Sequence, residues 1–295
     1  MTIVIAGGSG FLGRKLAHLL EGAGHVVRVL TRRPAATSDI NWNPDGSPGS
    51  LDHDLQGADV VVNLAGQGVA DRRWTAARKT ALRSSRILST QTLVRAVSQC
   101  VKPPRVFVSA SAVGYYGPRG DEPTTESCEP GSDFLAGLCV EWEEEARKAE
   151  SAATRLVIVR TGLPLDTDGG ILGRMLLPFK LGLGATLGSG DQFVPWIHAE
   201  DWAALIAWVI QNDRVSGAVN ASAPVPVTNR DFTRTLGRVL GRPAILHAPA
   251  FALHAVLGEM ATMLTLGQRA VPAYAERLGF RFTYRTLEPA LRSLL

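Results

Sequence analysis

Hydroxyl side chains cluster around the end of one apolar segment of the chain. Ser109 and Ser111 lie in the segment RVFVSAS (105–111), and Tyr115 and Tyr116 follow it closely. A hydroxyl or phenol in such a place can hydrogen-bond a substrate carbonyl or hydroxyl and relay a proton. Two packing serines and two tyrosines that line a wall would give the same pattern. The candidate catalytic residues are Ser111, Tyr115 and Tyr116.

Three glycines near the N-terminus have the spacing G-x-x-G-x-x-G. They follow the apolar run 2–6 and begin a stretch of helical periodicity, so strand, tight turn and helix are expected in succession. The N–H groups at such a helix start attract phosphate, which predicts dinucleotide binding. A glycine turn that only packs a helix on a strand is the alternative. The predicted contacts are Gly7, Gly10, Phe11, Leu12 and Gly13.

Two arginines end the second apolar segment. Arg32 and Arg33 stand where an acidic residue would hold the ribose 2′-hydroxyl of NAD. A guanidinium can instead bind a phosphate bidentately. Arg32, with Arg33 and the Thr31 hydroxyl nearby, therefore favours NADP(H), although a pair of solvated loop arginines would look the same.

The elements that must position these residues alternate between strand and helix patterns. This alternation predicts an α/β fold with a Rossmann-type, doubly wound parallel sheet. Leu64, Ala65 and Gly66 follow one buried strand, and the small residues at its end would let a cofactor lie against the backbone. The predicted strands are 2–6, 26–30, 58–64, 105–111 and 155–163.

The sequence predicts two domains. Residues 1–227 are expected to form the cofactor domain, including a lid at about 165–200, because glycines interrupt the apolar run LLPFKLGLG there. The lid's few charges indicate a small, largely apolar substrate, and a plain packing segment is the alternative.

Residues 228–295 are expected to form a small, mostly helical domain. Its TNRD start predicts a helix cap, and the apolar stretch 251–264 predicts a second helix, of a kind usually in the core, with any exposed part a candidate dimer surface.

Composition limits the partners and the compartment. The 295 residues carry a formal net charge of +4, yet no Lys/Arg-rich block with interleaved aromatics occurs, which argues against nucleic acid. The 3 cysteines form no C-x-x-C pair, so neither a disulfide framework nor a metal site is expected. A reducing cytoplasm fits this cysteine usage. No leader or spanning segment is evident, which argues against a membrane, and both monomer and homodimer remain open.

The motifs together resemble the short-chain dehydrogenase/reductase superfamily in its extended epimerase/dehydratase form. The residues that carry this resemblance are GGSGFLG (7–13), NLAG (63–66) and VSASAVGYYG (108–117). The segments LLPFKLGLGATLGSGDQFVPWIHAEDW (176–202) and GQRAVPAYAERLGFRF (267–282) look like the atypical subfamily of epimerase family proteins of YfcH type. The resemblance extends over nearly the whole chain, and its tail resembles a domain of unknown function.

This resemblance implies an NADP(H)-binding oxidoreductase or epimerase and assigns positions along the cofactor. Thr31 and Arg32 match the adenosine end, and Leu64 and Ala65 match its middle. Further residues implied in the same way are Arg86, which would reach the cofactor from its helix, Pro164, whose backbone would meet the nicotinamide half, and Ser111, at the family's hydroxyl position.

One departure from the superfamily concerns catalysis. Typical members carry Tyr-x-x-x-Lys on the helix after the active-site strand, but this chain has Phe134 and Leu138 there. The usual acid/base pair is absent, which leaves the 109–117 hydroxyls and His198, beside Asp201, as substitutes; an anchoring role for His198 and Asp201 is favoured. Three hypotheses follow: an oxidoreductase or epimerase acting on an apolar substrate, a catalytically silent NADP(H)-binding sensor or partner-binding module, and a nucleotide-sugar epimerase.

Overall fold

A computed structural model describes residues 1–295 and shows alternating strands and helices. None of the helices has both the length and the apolar content needed to cross a bilayer. The strands are β1 (Thr2–Ala6), β2 (Val26–Thr31), β3 (Ile40–Asn41), β4 (Val60–Asn63), β5 (Val106–Ala112), β6 (Pro123–Thr124), β7 (Arg155–Thr161), β8 (Leu163–Leu165), β9 (Ala185–Leu187), β10 (Phe193–Val194), β11 (Trp196–His198), β12 (Gly217–Ala221), β13 (Val227–Thr228), β14 (Leu246–Ala248) and β15 (Arg269–Ala270). The α-helices are α1 (Phe11–Gly22), α2 (Leu51–Leu55), α3 (Ala76–Gln99), α4 (Phe134–Arg147), α5 (Gly170–Lys180), α6 (Ala199–Gln211), α7 (Asn229–Leu240), α8 (Ala250–Leu257), α9 (Thr262–Thr265), α10 (Ala273–Arg277) and α11 (Leu287–Leu294).

Seven strands form the central sheet in the order β3, β2, β1, β4, β5, β7, β12. Every pair of neighbours in this sheet is parallel. The strand order reverses between β1 and β4, and α/β sheets bind ligands outside the carboxyl ends of the strands at such a point. The Rossmann-type α/β fold predicted from the sequence is confirmed.

Both faces of the sheet are covered by helices, which explains why its strands are continuously apolar. On one face, Leu16 and Leu20 of α1 and Trp202 of α6 pack on the sheet. On the other, Leu93 of α3 and Ala146 of α4 do the same. The two cores hold the strands in position relative to the helices. The glycine turn and the 109–117 hydroxyls are expected at the carboxyl ends of these strands.

The segment predicted as one strand, 155–163, is two strands that part at Gly162. The first, β7, stays in the central sheet, whereas β8 leaves it and pairs with β11. A Cβ at Gly162 would lie 2.1 Å from the carbonyl oxygen of Pro195, so only glycine allows the chain to turn here. Periodicity alone cannot detect this change of partner, because both strands are apolar.

The lid segment and the C-terminal region share a core. Leu172 and Phe179 of α5 pack in one cluster with Phe232 and Leu236 of α7 and Leu291 of α11. The TNRD cap occurs as predicted: the Thr228 hydroxyl caps α7 by accepting a hydrogen bond from the backbone N–H of Asp231 at 3.2 Å.

His198 and Asp201 join the first part of the chain to its C-terminal end. The Asp201 carboxylate accepts hydrogen bonds from the backbone N–H groups of Thr283 at 2.9 Å and Tyr284 at 2.8 Å. His198 caps α6 by accepting from the N–H of Glu200, and its ring stacks on Tyr284. Burial lowers the pKa of His198, which keeps the ring neutral and able to accept that bond. These contacts agree with the anchoring role favoured from the sequence.

The apolar stretch 251–264 differs from the expected core helix. It is divided at Gly258 into α8, a turn of 3-10 helix (Gly258–Ala261) and α9. None of the residues of α8 is buried, and Phe251 and Val256 are 78% and 67% exposed. The expectation of a core position was wrong for α8, because no element packs over its outer face.

Candidate functional site

The three glycines of the N-terminal turn meet different surroundings. Gly7 has a positive φ of 78°, and a Cβ there would lie 2.8 Å from the backbone of Leu64. A Cβ at Gly13 would lie 2.3 Å from the carbonyl oxygen of Gly7. Gly10 is exposed, and a Cβ there would meet only that oxygen, at 3.2 Å. Gly7 and Gly13 are therefore required by the fold, whereas Gly10 leaves room for a ligand.

The start of α1 has no acidic or capping side chain from the chain itself. Its N-cap, Gly10, offers no side chain to the first turn, and that turn contains no acidic residue. The first N–H groups of the helix thus face the carboxyl ends of β1 and β4 without an anion from the chain. A helix N-terminus carries about half a positive charge, so this arrangement suits a pyrophosphate.

The end of β4 lies directly against the glycine turn. The N–H of Leu64 donates to the carbonyl of Ala6 at 2.9 Å, and the N–H of Ala65 donates to the Asn63 side chain at 3.2 Å. Leu64 and Ala65 are half-buried and Gly66 is exposed. The structure brings these three residues beside Gly7, as the sequence predicts.

Arg86 lies below Gly66 on α3 and hydrogen-bonds the chain itself. Its guanidinium donates to the carbonyl oxygens of Gln67 at 2.9 Å and Leu82 at 3.1 Å, and it lies over the ring of Trp142. Burial lowers its pKa below the usual arginine value. The observed role of Arg86 is to hold the 66–68 backbone in place, and its predicted contact with the cofactor remains a prediction.

The basic end of β2 is exposed. Arg32 and Arg33 are both exposed, and the Thr31 hydroxyl accepts from the N–H of Arg33 at 3.2 Å. Arg32 lines a polar cavity of about 440 Å³ at the ends of β2 and β3, together with Asn41 and Ser50. The structure therefore leaves Arg32 accessible to a phosphate, while Thr31 shapes the turn that carries it.

The root of the lid lies on the other side of the glycine turn. The ring of Phe11 packs against Gly169, where a Cβ would lie 2.5 Å from it, and the carbonyl oxygen of Pro164 faces Gly170. Leu12 packs on the first core. Phe11 and Pro164 are therefore near each other, and the start of α5 is fixed relative to the glycine turn.

Ser111 is turned into the interior, although the sequence makes it a candidate catalytic residue at the crevice, which is the space outside the carboxyl ends of the strands. In the sheet, Ser111 on β5 pairs with Arg160 on β7, and Arg160 pairs with Asn220 on β12. Three polar residues therefore form one row across the sheet. Ser111 is buried, and its hydroxyl donates to the Glu143 carboxylate at 2.7 Å. Glu143 lies on α4, which covers this face of the sheet. The pleat thus directs Ser111 into the interior.

An ion pair occupies the centre of this buried row. Arg160 makes two hydrogen bonds to the Glu143 carboxylate, at 2.8 and 2.9 Å, and both side chains are almost fully buried. Burial alone would lower the pKa of Arg160, but the hydrogen bonds and the charge of Glu143 raise it overall. We refer to Ser111, Glu143, Arg160, Tyr116 and Asn220 as the buried network.

Tyr116 is likewise part of the interior. Its hydroxyl donates to the Asn220 side chain at 2.6 Å and accepts from Arg160 at 3.0 Å. Burial raises the pKa of Tyr116 to about 12, so its phenol stays protonated. This burial disfavours Tyr116 as a catalytic residue and agrees with the alternative that the tyrosines after β5 are wall residues.

Tyr115 is the one predicted catalytic hydroxyl whose side chain is only half-buried. The Arg160 guanidinium lies 3.5 Å from the centre of its ring, and the Tyr116 ring meets it edge-on at 5.4 Å. Two members of the buried network, Arg160 and Tyr116, therefore pack against the Tyr115 ring and hold its orientation.

The position of the missing Tyr-x-x-x-Lys pair is an apolar wall. Phe134 begins α4 and meets the ring of Trp74 edge-on at 5.3 Å. Leu138 is buried with Trp74 and Leu82 in the same cluster. The ammonium of Lys79 lies 4.8 Å from the centre of the Phe134 ring. No proton donor replaces the missing pair on α4 itself.

Three important residues, Glu143, Arg160 and Asn220, were not singled out from the sequence. A signal was present, since Arg160 interrupts the apolar strand RLVIVRT and Asn220 interrupts GAVNA. Charged residues are rarely buried without a partner, so an arginine in a continuously apolar strand indicates an ion pair.

Comparison with known proteins identifies both parts of the chain. Residues 3–222 match the model of the NAD dependent epimerase/dehydratase family. Residues 248–294 match a domain of unknown function, DUF1731. A Mycobacterium bovis relative, epimerase family protein Mb2239, is 43% identical over 98% of this chain and 96% of its own length.

Two solved structures are similar over the full length of this chain. The human epimerase family protein SDR39U1 (isoform 2), crystallised with NADPH, superimposes with a TM-score of 0.93 at 36% identity and is covered over 99% of its length. A nucleoside-diphosphate sugar epimerase from Corynebacterium glutamicum has a TM-score of 0.83 at 33% identity, and this chain spans 58% of it. The first neighbour thus contains the reduced, 2′-phosphorylated cofactor.

The different surroundings of Gly10 and Gly13 predict different effects of the same substitution. Gly10→Val should abolish measurable NADPH binding, because the side chain fills the space before α1, at a cost of only about 1 kcal/mol in the free energy of unfolding. Gly13→Val should destabilise the fold by about 3 kcal/mol or more through overpacking. Urea unfolding and NADPH titration measure both effects.

Gly22→Val, at an exposed glycine near the end of the same helix, is the matched control and should bind NADPH normally. Undiminished NADPH binding by folded Gly10→Val would show that the turn serves the fold alone.

Proposed function

This chain belongs to the NAD dependent epimerase/dehydratase family, and we propose that it is an NADP(H)-dependent oxidoreductase or epimerase acting on a small, largely apolar substrate. The single observation that carries the cofactor part is the combination of an uncapped α1 N-terminus beside the open Gly10 with an accessible Arg32 at the end of β2.

These features fit the two anionic parts of NADP(H). The pyrophosphate suits the N–H groups at the start of α1, and the 2′-phosphate suits the Arg32 guanidinium, which can bind it bidentately. Leu64, Ala65 and Gly66 end β4 near the glycine turn, and the small size of Ala65 and Gly66 would let a cofactor approach the backbone there. The NADPH in the human structure supports this choice over NAD.

The bound nicotinamide would supply or accept a hydride. The chain's own task is then to orient the substrate and to hold a proton at the reacting oxygen. Tyr115 is the remaining candidate for the proton donor, since Ser111 and Tyr116 are occupied in the buried network. A neutral phenol polarises a carbonyl by hydrogen bonding, which favours reduction over oxidation at neutral pH.

A catalytically silent NADP(H)-binding protein is the second candidate. Its support is that two of three predicted hydroxyls are buried and that Phe134 and Leu138 form an apolar wall where the superfamily carries its acid/base pair. In that case the cofactor would report its own redox state to a partner.

The Arg32 site predicts cofactor preference. NADPH should bind more tightly than NADH, and Arg32→Ala should weaken NADPH binding by about 1.5 to 3 kcal/mol, or about 10- to 150-fold, because a charge-assisted phosphate contact is lost. NADH binding should change little. Isothermal titration with both cofactors measures this.

Arg281→Ala, which removes an exposed arginine near the C-terminus, is the matched control and should leave both affinities unchanged. Equal affinity of the wild-type protein for NADPH and NADH would contradict the assignment of the 2′-phosphate to Arg32.

Tyr115 and Tyr116 predict opposite results from the same substitution. Tyr115→Phe should lower the single-turnover rate of hydride transfer by about 10²- to 10⁴-fold without a loss of stability, because a positioned proton donor is removed. Tyr116→Phe should lower stability and leave the rate nearly unchanged, since its hydroxyl binds Asn220 in the interior.

The substrate for this measurement comes from a screen of small apolar carbonyl compounds with NADPH fluorescence as the readout, and UDP-glucose is included to test the nucleotide-sugar alternative. Turnover by a substrate that Tyr115→Phe does not slow would exclude Tyr115. The absence of turnover with intact NADPH binding would favour the silent binder.

A further inference from the structure

The outer side of the lid carries an apolar surface that the proposed reaction does not use. Large side chains at the end of α5 and in the loop after it are exposed: Leu177 by 67%, Leu181 by 66% and Leu183 by 56%. Ile245 and Leu246, just before and in β14, are exposed by 85% and 45%. We call these five residues the apolar patch.

Backbone contacts hold the two halves of the apolar patch side by side. The N–H of Leu246 donates to the carbonyl of Gly184 at 3.2 Å, and β14 pairs in parallel with β9. The ring of Pro243 lies next to Gly182. The loop 181–184 and the loop 242–245 therefore form one continuous surface.

The apolar patch is not an unfolded or poorly packed part of the lid. On the inner side of the same helix, Leu172 and Phe179 are 0% and 4% exposed and pack in the third core. The N–H of Leu183 closes the turn by donating to the carbonyl of Pro178 at 2.9 Å. A rigid helix end thus presents leucines to the outside, which is typical of an interaction surface.

The bases next to the apolar patch lack carboxylate partners. No Asp or Glu occurs between Asp168 and Asp191, or between Asp231 and Glu259. Of the bases in these two segments, Arg174 and Arg238 pair with Asp71 and Glu288, whereas Lys180 and Arg242 form no salt bridge. In the chain, Lys180 lies between Leu177 and Leu181, and Arg242 directly precedes Pro243. Both bases are exposed.

This charge distribution distinguishes between occupants. A two-fold contact between copies of this chain through the apolar patch would bring the unpaired Lys180 and Arg242 of both copies together. An anionic lipid surface offers both an apolar interior for leucines and negative headgroups for Lys180 and Arg242. We propose that the apolar patch docks the protein on the surface of an anionic lipid bilayer, with α5 lying in the interface.

The proposed contact is peripheral and therefore differs from the expectation of no membrane partner, which considers only spanning segments. The docking does not depend on the proposed reaction, because it rests on residues of the outer face alone.

Flotation with vesicles tests the proposal. Wild-type protein should bind vesicles of phosphatidylcholine mixed with phosphatidylglycerol and should not bind phosphatidylcholine alone. Leu181→Ser/Leu183→Ser should abolish binding. Lys180→Gln/Arg242→Gln should weaken binding by about 30-fold, since each base near an anionic surface strengthens binding by about 5-fold. Val101→Ser, which changes an 89% exposed apolar residue elsewhere, should bind as wild type.

All of these variants change exposed side chains and should keep the wild-type melting temperature and NADPH affinity, which excludes misfolding as the cause. Equal binding to neutral and anionic vesicles, or full binding by Leu181→Ser/Leu183→Ser, would overturn the proposal. So would sedimentation velocity that shows a wild-type dimer and a monomeric Leu181→Ser/Leu183→Ser protein, because the apolar patch would then be an interface between copies.

Discussion

The Glu143–Arg160 ion pair is the interaction on which the β5 and β7 side of this molecule depends. Both side chains are almost fully buried, and removing one partner of such a pair costs about 3 to 5 kcal/mol, because the other charge stays buried alone. The pair joins α4 to β7, accepts the Ser111 hydroxyl and supports Tyr116. Through Asn220, which donates to the carbonyl of Val271, it also reaches the C-terminal region. The hydroxyls of Ser111 and Tyr116 are thereby bonded within the interior.

The two halves of the crevice are consequently different in kind. On the side of β1, β2 and β4, the chain leaves its donors free: α1 has no side-chain cap and Arg32 is exposed. On the side of β5 and β7, the chain satisfies its polar groups internally, and Phe134 with Leu138 makes the neighbouring wall apolar. A bound anion is thus well provided for, whereas proton transfer has only Tyr115 among the predicted hydroxyls. Fold alone does not decide function, and this division is what separates the two candidate functions.

Local patterns in the sequence were sufficient for the Rossmann-type sheet and for the conformation of the glycine turn. Gly7, Gly10 and Gly13 lie within one βαβ unit, so the turn follows from sequence neighbours, and the exposure of Arg32 at the end of β2 follows in the same way. Ser111 and Tyr116 could not be placed in this way, because their environment depends on which residue of β7 lies beside Ser111 and on which helix covers that face. The split at Gly162 and the exposure of α8 were missed for the same reason, since both depend on partners distant in the chain.

A crystal structure of this protein with NADPH tests the central claim most directly. The account predicts the 2′-phosphate within hydrogen-bonding distance of the Arg32 guanidinium and the pyrophosphate on the first N–H groups of α1, next to Gly10. It also predicts that Ser111 and Tyr116 keep their bonds to Glu143 and Asn220. A cofactor bound elsewhere, or a 2′-phosphate without contact to Arg32, would contradict the account. So would a Ser111 or Tyr116 hydroxyl turned toward the nicotinamide.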